Sequence, residues 1–428
     1  MSGFDVVVVG AGPGGMAAAT VAAEAGLRVC LLDDNASPGG QIWRSFQPGS
    51  ASKYPHGKGF IAWSARLERT SCQVLQGWQA IDHPAPGVLR IERDGEVRDL
   101  RFERLILATG ARERFLPFPG WTLPGAMGVG GVQALVKGGL DPRGKRVVLA
   151  GSGPLLLAVG AALAGKGAVV AGIYEQAPLL SLAAFAPTLL GHPGKLAEGA
   201  RYRVATLRAP YRTGSWVVRA EGRGRVERVT LTDGRRQWTV DCDWLGCGFH
   251  LAPNLELPRL LGCRTVDGYV AVDGFQQSSV AGIACVGELT GIGGLEKALV
   301  EGQIAGLTAA GREAEALRLA PQQRRQQRFA QRLDRAFALR PELRALAQAD
   351  TLVCRCEDVP HAELAPCTSW RQAKLHTRCG MGACQGRVCG AATEFLFGWE
   401  NRPSRPPVFP AAVSALSTEV EAPQAVDR

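Results

Sequence analysis

The stretch VVVVGAGPGGMAAATVAAEAGLRVCLLDD, residues 6–34, decides how the amino-terminal part of the chain folds. An apolar run predicts a buried strand, and the alanine-rich stretch after the glycines predicts a helix that leads into a second strand. Gly10, Gly12 and Gly15 form a GxGxxG pattern, which permits a tight turn, close approach to a pyrophosphate and close packing of helix on strand. Asp33 ends the second strand, where a carboxylate accepts hydrogen bonds from ribose hydroxyls. The stretch therefore predicts a dinucleotide-binding α/β unit.

A second stretch, KRVVLAGSGPLLLAVGAALAGKGAVVAGIYEQ at 145–176, repeats this plan with a damaged glycine loop. Gly151 and Gly153 are present, but Leu156 stands where a third small residue belongs, and its side chain would weaken close helix–strand packing. Glu175 could hold a ribose, one residue later than Asp33 does in its own unit. Two interpretations remain: an NAD(H) site, or a retained α/β domain that binds nicotinamide poorly or not at all. We favour the second.

The chain has 428 residues, which is too long for one ordinary core and indicates several domains. Two strand–glycine–helix–strand units predict an α/β protein with two doubly wound dinucleotide-binding domains and a small, mainly helical carboxy-terminal domain. The predicted segments are a first dinucleotide domain, a second one, a helical linker, a cysteine-bearing domain and a Pro-rich tail, at 1–115 with 251–312, 116–250, 313–350, 351–400 and 401–428.

Composition argues against several classes of function. The 49 Lys+Arg and 39 Asp+Glu give a net charge of +10, but aromatic residues do not alternate with the basic ones as a nucleic-acid surface would require. The amino terminus lacks the pattern of a signal peptide. The apolar stretch 155–173 is interrupted by Lys166, so we predict no membrane span and a cytoplasmic protein. Twelve cysteines in a reducing compartment indicate metal or redox chemistry where they are closely spaced.

Five cysteines cluster in TLVCRCEDVP (351–360) and KLHTRCGMGACQGRVCG (374–390). Four thiolates from two short loops suit either zinc or an iron–sulfur cluster. The neighbouring glycines expose backbone N–H groups that can hydrogen-bond to sulfur, and nearby arginines offset negative charge, so we favour [2Fe–2S]. Cys354 and Cys356 form one pair, whereas the second pair is either Cys384 with Cys389 or, at the same spacing, Cys379 with Cys384.

Three further segments resemble the flavin-contacting parts of two-dinucleotide-domain flavoproteins. They are PGGQ (38–41), ILATGARERFLPFPG (106–120) and GIACVGELTG (282–291). The last departs from the usual Gly-Asp pair, since Gly-Glu lengthens the carboxylate by one methylene. The resemblance implies FAD as the cofactor and adds contacts to it from Gly40, Gln41, Thr109, Gly110, Gly287 and Glu288.

Taken together, these motifs resemble the large (alpha) subunit of heteromeric dye-linked amine and amino-acid dehydrogenases. That group includes D-hydroxyproline dehydrogenase, opine oxidase and hydrogen cyanide synthase. The last module is similar to the [2Fe–2S] domain of bacterioferritin-associated ferredoxin, whose CxC and GMGxCQGRxC pattern implies Cys354, Cys356, Cys384 and Cys389 as ligands. The resemblance leaves Cys379 out of the ligand set.

The resemblance also implies partners. A separate flavoprotein subunit, similar to D-amino-acid oxidase, would oxidise the C–N bond of the substrate, and a small ferredoxin-like chain sometimes joins the complex. Electrons would then pass through the cluster and FAD of this chain, in which we predict no catalytic acid–base pair. NAD(P)H, or FMN shared at an interface between subunits, stays open as a further cofactor. Competing hypotheses are a stand-alone NAD(P)H-dependent flavin reductase and a scaffold subunit whose FAD serves folding only.

Overall fold

The fold was analysed in a computed structural model, which describes residues 3–44, 56–400 and 405–417. The prediction of a Pro-rich tail at 401–428 therefore lies largely outside the described residues. The chain divides into two compact units, each built from separate stretches of sequence. Unit 1 comprises Met1–Ala111, Pro253–Gln331 and Pro403–Arg428, and unit 2 comprises Arg112–Ala252 and Arg332–Arg402.

The strands of the described residues are short to moderate in length. In chain order they are β1 (Phe4–Val9), β2 (Val29–Asp33), β3 (Gln73–Gln76), β4 (Gln79–Ala85), β5 (Val88–Arg93), β6 (Glu96–Leu107), β7 (Ala111–Glu113), β8 (Ala126–Gly128), β9 (Arg146–Ser152), β10 (Val169–Glu175), β11 (Tyr211–Thr213), β12 (Trp216–Glu221), β13 (Arg228–Thr232), β14 (Gln237–Asp241), β15 (Trp244–Phe249), β16 (Leu251–Pro253), β17 (Thr265–Val266), β18 (Tyr269–Val270), β19 (Ile283–Cys285), β20 (Leu352–Cys354) and β21 (Val359–Pro360).

The helices follow in the same way. They are α1 (Pro13–Glu24), α2 (Gly57–Glu68), α3 (Val129–Lys137), α4 (Leu155–Gly165), α5 (Leu179–Leu190), α6 (Pro193–Ala205), α7 (Glu256–Leu260), α8 (Leu295–Ala309), α9 (Glu313–Ala336), α10 (His361–Leu364), α11 (Trp370–Thr377), α12 (Cys389–Phe397) and α13 (Val413–Ser417). Among the residues that the structure describes, no helix combines the length and the apolar character that a membrane crossing requires.

Unit 1 is built on a mixed sheet with the strand order β3-β2-β1-β6-β5-β4, and β19 also pairs with β6. Strands β3, β2, β1, β6 and β19 pair in parallel, and β4 and β5 extend the sheet in antiparallel fashion. The valine run of β1 is buried on both faces: Val6 and Val8 belong to one core, Val7 and Val9 to the other. A parallel strand covered on both faces needs such a continuous apolar run.

Helices α1 and α8 pack closely against each other because small residues face each other across the contact. A Cβ at Gly302 would collide with the carbonyl oxygen of Gly14, and a Cβ at Gly306 would lie 2.6 Å from that of Ala18. Glycine therefore lets the two backbones approach directly. This packing fixes α8 beside the helix that follows the first glycine loop.

Unit 2 contains a parallel sheet of order β11-β10-β9-β15-β8 and an antiparallel sheet of order β12-β13-β14. Its main core joins residues of both sheets with Leu343 and Leu346, which follow α9. The cysteine-bearing part of this unit has a core of its own, which includes Val353, Leu364 and Trp370. The architecture confirms the predicted α/β class with two parallel-sheet domains, and the cysteine-bearing module consists mainly of short helices.

Candidate cofactor sites

The first glycine loop and Asp33 meet at the carboxyl ends of β1 and β2. The carboxylate of Asp33 accepts hydrogen bonds from the N–H groups of Ala11 and, at 2.8 Å, of Asn35. Helix α1 begins at Pro13, so its free N–H groups face the space above the loop. A Cβ at Gly15 would collide with the carbonyl oxygen of Gly10, which explains why the third glycine is needed. The loop has the geometry of a pyrophosphate cradle.

The PGGQ loop lies directly against this cradle. The N–H of Gly39 donates to the carbonyl of Ala11 at 2.7 Å. Gly40 has a φ of +56°, and a Cβ there would lie 2.9 Å from the Cα of Gly12. Gln41, the other residue expected to contact the flavin, is exposed at the end of the loop. The structure thus brings two predicted segments together, although 28 residues separate Gly12 from Gly40.

Thr109 and Gly110 lie where β6 ends, and Asn254 holds them there. The side chain of Asn254 donates to the carbonyl of Thr109 at 2.7 Å, and its backbone N–H donates to that of Gly110 at 3.0 Å. In return, the Thr109 hydroxyl donates to the carbonyl of Asn254 at 3.0 Å. These reciprocal bonds fix the turn that follows the strand.

The segment after β19 forms a tight 3-10 turn, Gly287–Thr290. Both carboxylate oxygens of Glu288 accept backbone N–H bonds at 3.0 Å, from Gly293 and Gly294. Burial raises the pKa of Glu288 above its ordinary value. The longer carboxylate therefore ties this turn to the start of α8, where the free N–H groups of the helix are concentrated.

A buried ion pair lies beneath the same turn. The ammonium of Lys297 donates to the carbonyl of Gly287 at 2.8 Å and to the hydroxyl of Thr290 at 2.6 Å, and it lies 2.9 Å from Glu301. The carboxylate of Glu301 accepts the N–H of Gly287 and the hydroxyl of Thr290, both at 2.8 Å. One side-chain pair thus satisfies both backbone groups of Gly287.

The second glycine loop has a carboxylate in the position that Asp33 occupies in the first. A register shift in β10 between Val170 and Gly172 absorbs the extra residue, so Glu175 pairs with Gly151 at the sheet edge. The buried Glu175 carboxylate accepts the N–H groups of Gly153 and Ala177, both at 2.8 Å. Burial raises the pKa of Glu175 to about 7.

Leu156, the residue that departs from the glycine pattern, is buried in the core beside β9. Helix α4 starts at Leu155, one residue later relative to its first glycine than α1 does. The contact that requires a small residue lies further along the helix, at Gly160, where a Cβ would lie 2.9 Å from Ile173. The helix therefore packs on its sheet without a third glycine in the loop.

The five clustered cysteines come together in the module of unit 2. The sulfurs of Cys354, Cys379 and Cys389 all lie within 4.8 Å of one another and are buried. Cys384 hydrogen-bonds to Cys389 and also to Cys356, which is exposed. The structure therefore gathers all four predicted ligands, and it places Cys379 against two of them.

The surroundings of these thiols suit a metal centre. Hydrogen bonds from Cys379 and Cys389 lower the pKa of Cys354 to about 2, and a hydrogen bond from Cys389 lowers that of Cys384 to about 5. Low pKa values favour the thiolate form that binds metals. The N–H of Gly380 points to the Cys354 sulfur at 3.5 Å. The donor set fits a four-thiolate group.

Glycines shape the loop that carries the later cysteines. Gly380 and Gly386 have φ values of +80° and +79°, and a Cβ on either would press against the ring of the buried Trp370. A Cβ at Gly382 would collide with that of Cys356. The loop can pass this close to the tryptophan and to the first cysteine pair only because these positions are glycine.

Most of the chain matches a known family. The family model for pyridine nucleotide-disulphide oxidoreductases covers residues 4–314. The chain belongs to the pyridine nucleotide-disulphide oxidoreductase family. Within it, the chain is 32% identical to an opine oxidase subunit of Rhizobium meliloti, over 98% of this chain and 100% of the relative. It is 31% identical to hydrogen cyanide synthase subunit HcnB of Pseudomonas protegens, over 90% of each chain. The predicted resemblance to these subunits is confirmed.

Solved structures of this family share the fold. L-proline dehydrogenase from P. horikoshii matches with a TM-score of 0.68 at 18% identity, over 97% of this chain and 80% of that one. Thioredoxin reductase from T. acidophilum matches with a TM-score of 0.56 at 20% identity, over 73% of this chain and 100% of that one. Family membership supports an oxidoreductase that holds FAD at the loops of unit 1.

The sequence missed the residues that hold the predicted site in place. Asn254, Lys297 and Glu301 belong to no motif, and Asn254 is 145 residues from its partner Thr109. One signal was present: Lys297 and Glu301 are spaced i,i+4 on a helix whose other core-facing residues are apolar, and charged residues in such a position require a partner.

Proposed function

We propose that the chain is an electron-transfer subunit that holds FAD and a [2Fe–2S] cluster within a heteromeric amine or amino-acid dehydrogenase of the cytoplasm. The observation that carries the proposal is the presence of two sites in one chain. One is the nucleotide cradle of unit 1, where Asp33 meets the glycine loop. The other is the gathering of buried thiols in the last module. FAD exchanges two electrons and the cluster one, so together they connect two-electron chemistry to one-electron carriers.

For the cluster we propose Cys354, Cys356, Cys384 and Cys389 as ligands. Two of these thiols are buried and two are more accessible, which places one edge of the cluster near solvent. Exposure of one edge suits a centre that exchanges electrons with another protein. A structural zinc site accounts for the same sulfurs, but it gives no reason for joining them to a flavin fold.

For the flavin we propose contacts from Gly10, Gly12, Gly15, Asp33, Gly40, Gln41, Thr109, Gly110, Gly287 and Glu288. The glycine loop would bind the pyrophosphate, and Asp33 would bind the ribose of the adenosine half. The segments at Thr109 and Gly287 would orient the flavin ring and its ribityl chain. Lys297 and Glu301 act on the cofactor only through the turn that they hold.

For the substrate we propose a partner subunit, similar to D-amino-acid oxidase, that oxidises the C–N bond of D-hydroxyproline, an opine or a related compound. The support is the relatives' names, since opine oxidase and hydrogen cyanide synthase are both described by subunit. A small ferredoxin-like chain is a further partner. In this arrangement the chain described here relays electrons and needs no acid–base pair for the substrate.

Anaerobic purification followed by metal, sulfide and flavin analysis tests the proposal. We expect FAD together with equal amounts of iron and acid-labile sulfide, each twice the amount of flavin, and charge-transfer absorbance beyond the flavin bands. Zinc at stoichiometric level, or a flavin spectrum without cluster absorbance, would contradict it.

A further inference from the structure

The crevice outside the carboxyl ends of β9 and β10 is the place where a dinucleotide would lie in the second α/β domain. The Gly151–Gly153 loop forms one wall of this crevice, and Glu175 and Gln176 form the other. Both of these side chains are fully buried. Polar side chains of a nucleotide site are normally accessible to the ligand. Their complete burial here means that other atoms of the chain cover them.

The covering atoms belong to the segment that follows α9. The hydroxyl of Ser152, in the glycine loop, donates to the carbonyl of Phe337 at 2.8 Å. The side-chain amide of Gln176 donates to the carbonyl of Ala338 at 3.1 Å, and its oxygen accepts the N–H of Arg340 at 3.1 Å. The two donors that face the crevice are thus bonded to carbonyl oxygens, in the way that they would bond to the oxygens of a phosphate.

Apolar and aromatic contacts fix the same segment. Phe337 is 7% exposed and packs with Ala336 against Ala177, the residue that follows the carboxylate wall. The guanidinium of Arg340 stacks 4.4 Å above the ring centroid of Trp216. A cation–π contact of this kind and a buried aromatic anchor are typical of a well-packed interface.

We propose that residues 336–340 are a built-in occupant of the second nucleotide crevice. The segment excludes NAD(H) and NADP(H), and it anchors the chain that leads to the cysteine module on this domain. The function of the second domain is then to seat the module rather than to bind a nicotinamide. A chain built in this way takes electrons from a protein partner and does not react directly with the cellular nicotinamide pool.

Equilibrium dialysis of the purified full chain against NAD⁺ and NADP⁺ tests the exclusion. The oxidised nucleotides separate binding from flavin reduction. We expect no saturable binding up to ~1 mM, the weak end of the affinity scale. Saturable binding below that concentration would overturn the proposal. The result does not depend on the metal centre, so it stands or falls apart from the cluster assignment.

Hydrogen exchange tests the anchoring. In the wild-type chain, the N–H of Arg340 should be protected, since it donates to a buried acceptor. In Gln176→Ala its exchange should become ~10-fold faster or more, as expected for loss of one hydrogen bond of ordinary strength. Gln237→Ala, which removes an exposed glutamine of the same unit, should leave it unchanged. An unprotected Arg340 N–H in the folded wild-type chain would contradict the anchoring.

Discussion

The ammonium of Lys297 lies 2.9 Å from the carboxylate of Glu301, and both side chains are almost fully buried beneath the turn Gly287–Thr290. Each group also bonds to the turn, through the carbonyl and the N–H of Gly287. A buried ion pair of this kind owes its value to complete hydrogen bonding, because desolvation offsets much of the attraction between the charges. Its role here is to fix the backbone of a segment that we assign to the flavin.

Removing one partner of this pair should be far more damaging than removing both. Lys297→Met leaves the Glu301 carboxylate buried without its counter-charge, so we expect the free energy of unfolding to fall by about 3–5 kcal/mol. Lys297→Met/Glu301→Leu should recover much of that loss while still binding FAD more weakly, since the turn loses its anchor. Urea unfolding and the ratio of flavin to protein absorbance measure the two effects.

The exposed pair Arg312–Glu315 provides the control for that experiment. Arg312→Met should change the free energy of unfolding by less than about 1 kcal/mol, as is usual for surface ion pairs. If Lys297→Met proved equally mild, the buried pair would not hold the turn.

Gly40→Ala should release FAD without unfolding unit 1. The new Cβ would lie 2.9 Å from the Cα of Gly12, which forces the two cofactor loops apart. Gly26→Ala is the matched control, because Gly26 also has positive φ, at +89°, but has no atom within 4 Å of the added Cβ. It should cost about 1 kcal/mol of stability and retain its flavin. Flavin content after gel filtration distinguishes the two variants. Equal FAD loss in both would contradict the assignment.

The stability of the chain should fall as pH rises from about 4.5 to 7, through Glu175. Burial raises the folded-state pKa of this carboxyl from 4.5 to about 7, so the folded chain binds a proton that the unfolded chain has already released. At 1.36 kcal/mol per pKa unit, the loss amounts to at most about 3 kcal/mol and is complete above pH 7. Glu175→Gln should flatten that part of the pH profile. Identical profiles for the two proteins in urea unfolding would exclude the effect.

Cys379→Ala should keep the metal centre, and Cys384→Ser should lose it. Removing Cys379 leaves the four proposed thiolates in place, although its sulfur contacts those of Cys354 and Cys389. Cys72→Ala, which changes a thiol of unit 1, is the control for the purification. Iron and sulfide analysis of the three variants decides the ligand set. Loss of iron from Cys379→Ala would assign that thiol to the centre instead.

The predictable features of this molecule were those encoded in short stretches of sequence. The glycine loop and Asp33 could be placed because a strand, a turn and a helix bring them together within 24 residues. The position of Glu175 could not be fixed by counting, since a bulge in β10 shifts the register. Asn254 and the segment at Phe337 escaped prediction for another reason. Their roles arise from contacts between distant parts of the chain, which leave no local pattern.

The sequence also predicted the thiolate site better than its internal arrangement. The spacing of the cysteines indicated two loops and four ligands. The position of Cys379 depends on how Trp370 packs under Gly380 and Gly386. That packing is a tertiary feature, so spacing alone left two pairings of the later cysteines equally possible.

The central claim, that this flavoprotein chain carries a reducible cluster, is tested most directly by electron paramagnetic resonance of the anaerobically purified chain. After reduction with dithionite, we predict a signal of a reduced [2Fe–2S] cluster that integrates to the same amount as the FAD and is absent from Cys384→Ser. A reduced wild-type chain that gives only a flavin radical signal, or none, would contradict the claim.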